Sequence, residues 1–384
     1  MLNLPIYLDY SATTPCDPEV VTEMLPYFTQ YFGNASSKVH PFGWQAEAAV
    51  AQARERVATL INAQSREIVF TSGATEACNL AIRGVWELYA KKGNHFIISK
   101  TEHKAVLDTC KILEKKGACV TYLDVNSSGQ IQVEDLMKAF RPDTILVCIM
   151  LANNETGVIQ PVKEIGLLCK QHQVLFFCDA TQAVGKIPVN VEEMEIDLIC
   201  CSSHKIYGPK GVGALYIRSR NPRVKLSPQI TGGGQEDGVR SGTLNVPGIV
   251  GFGKACDICG NRMKEESEKM NRMLNKLRQG ILEIPGTVIN GHPKDYLPSI
   301  LNVSFERLNS TLLLSALKSK IAVSTGSACT SGSLEPSYVL TAMHVDRNKA
   351  KSSLRFSLGR FTTEEEIDFV IKELGHIVNQ LRDG

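Results

Sequence analysis

Seven short apolar runs between residues 68 and 217, many of them separated by helix-patterned stretches, constrain this chain more than any other feature. They are Ile68-Val69-Phe70, His95 to Ile98, Cys119 to Leu123, Ile145 to Met150, Val174 to Phe177, Leu198 to Cys201 and Ala214 to Ile217. Most are apolar at nearly every position rather than alternating, the pattern of strands buried on both faces. The intervening segments Glu76 to Lys91 and Lys163 to Gln171 carry helical periodicity. Strands of this kind alternating with helices predict an α/β fold with a seven-stranded, mostly parallel sheet covered on both sides. In such a sheet, chemistry gathers in the loops beyond the carboxyl ends of the strands.

After about residue 260 the character changes. A charged helix is predicted over Asn261 to Glu283, with Met263, Met270, Met273, Leu274, Leu277 and Ile281 at helical spacing, which reads as core packing rather than a binding face. A strand follows over Ser299 to Phe305, then a helix through Leu312 to Lys318. A last helix opens on the capping box Thr363 to Glu366 and carries one apolar face through Ile367, Val370, Leu374, Ile377 and Val378. Together these predict a smaller α+β domain.

Lys plus Arg number 42 against 40 Asp plus Glu, so the net charge of +2 supplies no field for nucleic acid or an anionic membrane. No apolar run reaches membrane-spanning length, and residues 1 to 15 lack a basic segment followed by an apolar one. The expectation is a cytoplasmic protein with neither membrane nor direct nucleic-acid partners. In that compartment the twelve cysteines stay thiols, most of them small core residues like Cys148 and Cys178. Cys256 and Cys259 have CxxC spacing but no second pair, so no metal site is expected.

The loops after the strands carry the polar residues. Ser202-Ser203-His204-Lys205-Ile206-Tyr207-Gly208 follows the run ending at Cys201. A loop lysine is ordinarily a solvated charge. Lys205, however, has Ser202 and His204 beside it as anion-binding groups, and glycines after it that let backbone approach a ligand. Gly208 and Gly213 have P-loop spacing, but Ala214 and Leu215 stand where Lys and Ser/Thr are required, and the dinucleotide pattern fails at Tyr216. Such a lysine suits an aldehyde cofactor held as a Schiff base with its phosphate anchored nearby.

Other strand ends add to the set. Thr71 to Glu76 ends a strand and opens a helix, so Ala74 and Thr75 sit where backbone N–H groups bind a phosphate, although a plain helix cap accounts for Thr75 as well. His103 follows the next strand and could be merely packed; Asn154 stands in a turn after another. Asp179 follows Phe176-Phe177-Cys178, where an unpaired carboxylate is costly, and a protonated pyridine nitrogen would supply the cation.

Four motifs then act together: Ser202 to Gly211, Arg240-Ser241-Gly242-Thr243-Leu244, Ser324 to Ser331 around Cys329, and Arg355 to Arg360. With the opening Tyr7 to Pro15, they resemble the pyridoxal-phosphate-dependent cysteine desulfurases of the IscS/NifS type, in the class-V aminotransferase family. The resemblance covers nearly the whole chain. It implies fold type I of the pyridoxal-phosphate-dependent transferases, with a large domain over residues 15–259 and a small domain made of 1–14 and 260–384. It implies pyridoxal 5'-phosphate carried by Lys205, with Asp179 on the pyridine nitrogen, Gln182 on the phenolic oxygen and His103 stacked on the ring. The phosphate would be held by Ala74, Thr75, Ser202 and His204, and by Thr243 from the other subunit of a homodimer with shared sites. Asn154 and Arg355 would hold the carboxylate of L-cysteine.

Cys329 would take the sulfur as a persulfide and pass it to an acceptor protein: an iron–sulfur scaffold, a tRNA-thiolation relay or a DNA-phosphorothioation system. Its neighbours, Thr325 to Ala328 and Thr330 to Gly332, are small and polar, which suits a loop rather than a core strand. Attack on sulfur requires the thiolate. An incidental loop cysteine is the plain alternative. Two departures from the family stand out: the sequence ends at Gly384 without the tail through which many relatives dock a scaffold, and Asn309-Ser310-Thr311 replaces a typical Gly-Glu-Ser segment. An aminotransferase or a selenocysteine lyase on the same fold is the nearest rival, and a non-catalytic sulfur-relay subunit is another. The first would not need Cys329, and the last would not need Lys205, Asp179 and His103.

Overall fold

The computed structural model describes residues 2–325 and 335–383. A short strand, β1 (Ile6–Tyr7), precedes seven strands that form one sheet. These are β2 (Ile68–Thr71), β3 (His95–Ser99), β4 (Cys119–Leu123), β5 (Thr144–Cys148), β6 (Leu175–Asp179), β7 (Leu198–Ser202) and β8 (Gly213–Ile217). Their spatial order is β2-β8-β7-β6-β5-β3-β4, with β8 antiparallel to both neighbours and the other pairings parallel. All seven apolar runs are therefore strands of one mostly parallel sheet.

Why the runs are apolar at almost every position is visible in β6. Phe176 and Cys178 pack into one core cluster and Phe177 into the other, on opposite faces of the sheet. Ile97 and its neighbours Phe96 and Ile98 divide in the same way along β3. One cluster includes the helix Pro41–Leu60, the other the helices Ala74–Tyr89 and Lys104–Glu114. Asp179 is itself the last residue of β6, one position earlier in the architecture than its place after an apolar run suggests.

The helix expected from Asn261 begins instead at Val246 and runs unbroken to Leu282, with the Asn245 side chain accepting from Gly248 N–H at its start. The boundary at residues 259 and 260 thus falls inside a helix and not in a linker. Its first turns are glycine-rich because neighbours approach closely: a Cβ on Gly253 would stand 2.6 Å from Ala53 Cα of the helix Pro41–Leu60, and one on Gly251 would stand 2.7 Å from Met24 Cγ. Cys256 and Cys259 are buried there, and all the described cysteines are free thiols.

A second sheet is antiparallel, in the order β12 (Ser353–Ser357), β10 (Ile300–Phe305) and β9 (Thr287–Asn290). The capping box is formed: Thr363 N–H donates to Glu366 Oε2 and Glu366 N–H to Thr363 Oγ1. The helix behind it, Glu364–Asp383, buries Val370, Leu374 and Val378 in a third core cluster. Ile6 and Leu8 belong to that cluster, because β1 pairs in parallel with β11 (Ile321–Ala322). The N-terminal segment is so fastened to the C-terminal part, and Asp9 bridges Ser357 beside β12. No helix among the described residues is long and apolar enough to cross a membrane.

Candidate active site

The carboxyl ends of the parallel strands, the N-terminal segment and β12 enclose a cavity of about 680 Å³. Its lining includes Ala74, Thr75, His103, Asn154, Asp179, Gln182, Ser202, His204, Lys205 and Arg355. Ten residues from strand ends, loops and a helix N-terminus thus reach one space, at the place where strand order turns about β3 and β5.

Lys205 ends a single 3₁₀ turn, Ser203–Lys205, directly after β7. Its Nζ donates to the carbonyl oxygens of Ser11 and Ala12, both in the segment that follows β1. His204 is joined to the same segment, Nδ1 lying 3.1 Å from Thr13 Oγ1. Burial, reinforced by Lys205, Lys210 and Lys186, pushes the His204 imidazole down to about 4, so the ring is neutral at pH 7. A neutral imidazole among lysine side chains beside an open helix end suits an anionic ligand.

The helix Ala74–Tyr89 points its open end at the cavity. Its N-cap is Gly73, at φ 152° and ψ 179°, a conformation that side chains rarely adopt, and no side chain caps the turn. Thr75 is therefore not the cap; it sits inside the first turn, where backbone N–H groups lack intrahelical partners. Ser202 Oγ lies near Gly73, 3.7 Å from where a Cβ on that glycine would stand. Gly213 on β8 is equally constrained, since its Cβ would meet Gly73 Cα at 2.7 Å. Glu76 turns back to accept from Ser72 N–H and pairs with Arg240 at 2.7 Å, which keeps its charge off the open end.

Asp179 is nearly buried, and its Oδ1 accepts from Thr181 N–H at 2.9 Å and from the Cys200 thiol at 3.4 Å. No ion pair neutralises it among the described residues. Behind it Cys78 and Cys200 place their sulfurs 3.6 Å apart. His103 is an N-cap: Nδ1 accepts from Ala105 N–H at 3.1 Å, so Nε2 is the nitrogen that bears a hydrogen. Gln182 Nε2 donates to the Ser11 carbonyl at 3.0 Å, and its Oε1 accepts from Lys186 at 2.9 Å.

At the opposite wall, Arg355 on β12 is 3% exposed. It donates to the Asn154 carbonyl at 2.8 Å and to Asp9 Oδ1 at 2.7 Å. Arg355 Nε and Asn154 Oδ1 are buried with no hydrogen-bond partner among the described residues. Orphaned polar atoms lining a cavity mark the place of a polar ligand. An open helix end and a cationic cluster for a phosphate, a lysine for an aldehyde, and an unneutralised buried carboxylate for a ring nitrogen fit pyridoxal 5'-phosphate.

One expected site residue does not line this cavity, and another cannot be placed relative to it. Thr243 is exposed, in the loop before Val246, and does not line its own chain's site. Cys329 lies outside the described residues. Sequence reasoning also passed over Asp9, the Ser11 and Ala12 carbonyls, Lys186 and the Cys78–Cys200 pair. Only the opening Tyr7 to Pro15 motif signalled that the N-terminus mattered.

Comparison with known proteins places this geometry. Residues 6–370 match the model of the family "Aminotransferase class-V". The chain is 52% identical over 383 residues to "Cysteine desulfurase IscS" of Anaeromyxobacter dehalogenans, covering 100% of this chain and 94% of that protein. Among solved structures, a "NIFS-like protein" superposes with a TM-score of 0.91 at 40% identity, over 98% of this chain and 100% of the other. A second, titled "SspA in complex with cysteine", superposes with a TM-score of 0.83 at 38% identity, over 93% and 100%.

Proposed function

The chain belongs to the aminotransferase class-V family, in its pyridoxal-phosphate-dependent cysteine desulfurase branch, and from that premise we propose how its own residues divide the work. The enzyme converts L-cysteine to L-alanine and moves the sulfur to a cysteine of its own and on to acceptors. The observation that carries this reading is the convergence of Lys205, Asp179, His103, the open end of the helix Ala74–Tyr89, Asn154 and Arg355 on one cavity.

Lys205 Nζ would carry the cofactor. Ala74, Thr75, Ser202 and neutral His204 would hold its phosphate, Asp179 its pyridine nitrogen and Gln182 its phenolic oxygen, with His103 against the ring. When bound, the cofactor supplies an electron sink for negative charge at the substrate Cα. Arg355 and Asn154 would bind the substrate carboxylate, Arg355 through donors its other partners leave available. Lys205 Nζ, released by the substrate amine, would take the Cα proton and later return a proton to carbon. Cys329 Sγ would form the new S–S bond as the substrate Cβ–S bond breaks. In balance, L-cysteine and the Cys329 thiol become L-alanine and a Cys329 persulfide.

We further read the enzyme as a cytoplasmic homodimer in which Thr243 completes the partner's phosphate site. The support is a set of exposed apolar side chains between residues 25 and 44, including Phe28, Phe32, Val39 and Trp44. Ala35, Ser36 and Lys38 share a cavity with the loop 233–237 and with Leu244, next to Thr243. Domains would be residues 15–259 and 1–14 with 260–384. Acceptors for the sulfur would be proteins of iron–sulfur assembly, tRNA thiolation or DNA phosphorothioation.

A single-turnover experiment tests the reading. Purified protein is mixed with L-cysteine while the visible cofactor spectrum, alanine and the mass of the Cys329 peptide are followed, with Cys329→Ala in parallel. The expected result is alanine and a peptide heavier by one sulfur in the wild type, and neither persulfide nor wild-type alanine formation in the variant. A variant that makes alanine at the wild-type rate would return the protein to the aminotransferase or lyase reading.

A further inference from the structure

Lys186 is not among the residues lining the cavity, yet it is bonded to one of them. It follows β6 in the turn after Gln182, behind Gly185, whose φ of 76° belongs to glycine. Its Nζ donates to Gln182 Oε1 at 2.9 Å. An ammonium group is a donor only, so it can face the amide oxygen and not the amide nitrogen. That contact sets the direction of the Gln182 amide from one side, and the Ser11 carbonyl, an acceptor only, sets it from the other. Nε2 is then turned the other way, where one of its two N–H bonds goes to the Ser11 carbonyl at 3.0 Å. The same carbonyl accepts from Lys205 Nζ. The second N–H of Nε2 is left for the cavity that Gln182 lines.

We propose that Lys186 is a positioning residue, which locks the Gln182 amide so that a donor faces the anionic phenolic oxygen of the cofactor. The proposal rests on the reading of the site given above. Without Lys186 only the bond to the Ser11 carbonyl, which Lys205 shares, opposes a half-turn that would present the amide oxygen to an anion, a repulsive arrangement. The ammonium is costly to keep where it is. No carboxylate pairs with it among the described residues, Lys205 and Arg355 both oppose its charge, and only the Cys259 side favours it. Burial and these cations push its Nζ down to about 7, so near neutrality it keeps its charge, and acts as a donor only, when an anion lies nearby. An anionic oxygen beyond Gln182 would offset that cost, and a methionine of the same length would fill the space without it.

The test is a pH titration of the visible band of the holoenzyme. Removing a positive charge and a fixed donor makes the lysine nitrogen that carries the cofactor easier to protonate. Lys186→Met is therefore expected to move the midpoint up by about one pH unit, and Lys186→Arg to restore it to within about 0.3 unit. In a Gln182→Leu background, where no amide remains to orient, the Lys186→Met shift is expected to fall below about half its size. A midpoint unchanged in Lys186→Met would overturn the proposal. So would a shift equally large without Gln182, which would leave only a long-range charge. Should Lys186→Met not fold, Lys186→Gln carries the same expectation, because its amide offers the Gln182 group no fixed polarity. A wild-type protein with no visible band would instead overturn the site reading itself.

Discussion

Asp9 and Arg355 are 346 residues apart in sequence, and Asp9 Oδ1 accepts from a terminal nitrogen of the Arg355 guanidinium at 2.7 Å. The Asn154 carbonyl takes the other terminal nitrogen at 2.8 Å, and Nε has no partner among the described residues. The plane is thus fixed on two sides with a donor to spare. Asp9→Asn should raise KM for L-cysteine about tenfold, equivalent to ~1.4 kcal/mol, with kcat within about twofold. Arg355→Lys, which loses the planar fork, should raise KM about a hundredfold. Steady-state kinetics at matched cofactor content checks both, and an unchanged KM in Arg355→Lys would remove Arg355 from substrate binding.

His204 makes the apoprotein sensitive to acid. Its folded value, about 4, lies below the ordinary histidine value of 6.5. Between those limits the unfolded chain binds more protons than the folded one, so the contribution is present above pH 6.5 and is lost as pH falls toward 4. The Tm of cofactor-free protein should therefore fall over that window, and His204→Gln should fall less. Bound phosphate would draw the imidazole back up, so the holoenzyme should show a smaller difference between wild type and variant. Thermal melts at several pH values, with and without cofactor, read this out. Equal slopes for wild type and variant would contradict it.

The sheet was legible because strands buried on both faces are apolar nearly throughout, as Phe176, Phe177 and Cys178 illustrate. Lys205, Asp179, His103 and Asn154 were legible because polar residues stand at the ends of such runs. The start of the long helix was not. Gly248, Gly251 and Gly253 read as loop by propensity, whereas close neighbours require them: the Asn245 side chain at Gly248, Met24 at Gly251 and Ala53 of the helix Pro41–Leu60 at Gly253. Asp9 on Arg355, and the Ser11 carbonyl shared by Gln182 and Lys205, arise from chain crossings that no local pattern encodes. The role of Thr75 was left between cap and phosphate ligand, and the structure removes the cap, because Gly73 holds that position.

Glu102, beside His103, is buried with Oε1 accepting from Met150 N–H at 2.8 Å and Oε2 without a partner among the described residues. Burial, with Asp179 adding to it, holds its carboxyl well above the ordinary range, so the native state keeps the proton that the unfolded chain gives up above about pH 4.3. Stability from this group is full below that value and declines as pH rises. Glu102→Gln, which resembles the protonated acid, should match the wild type within about 1 kcal/mol at pH 5 and exceed it at pH 8. Glu102→Ala should cost about 2–4 kcal/mol at either pH, by leaving a cavity and an unpaired Met150 N–H. Urea denaturation of the cofactor-free forms measures this; a Gln variant that loses stability relative to wild type as pH rises would show that Glu102 is ionised.

If the site is shared between two chains, Thr243 and Lys205 in one working site come from different subunits. Thr243 is exposed and lines no part of its own chain's cavity, while Phe28 at 60%, Phe32 at 65% and Trp44 at 53% exposure offer apolar surface nearby in sequence to the loop that adjoins it. Thr243→Ala and Lys205→Ala should each lose most activity as pure proteins. Mixed through unfolding and refolding, they form heterodimers. One site then combines Lys205 of the Thr243→Ala chain with Thr243 of the Lys205→Ala chain, and it is intact. Activity should reappear to about a quarter of the wild-type level in a statistical mixture, since half the dimers are mixed and each has one good site. Phe32→Asp in both chains should prevent the recovery and yield a monomer by light scattering. A mixture that stays inactive while heterodimers are present would place Thr243 in its own chain's chemistry or in none.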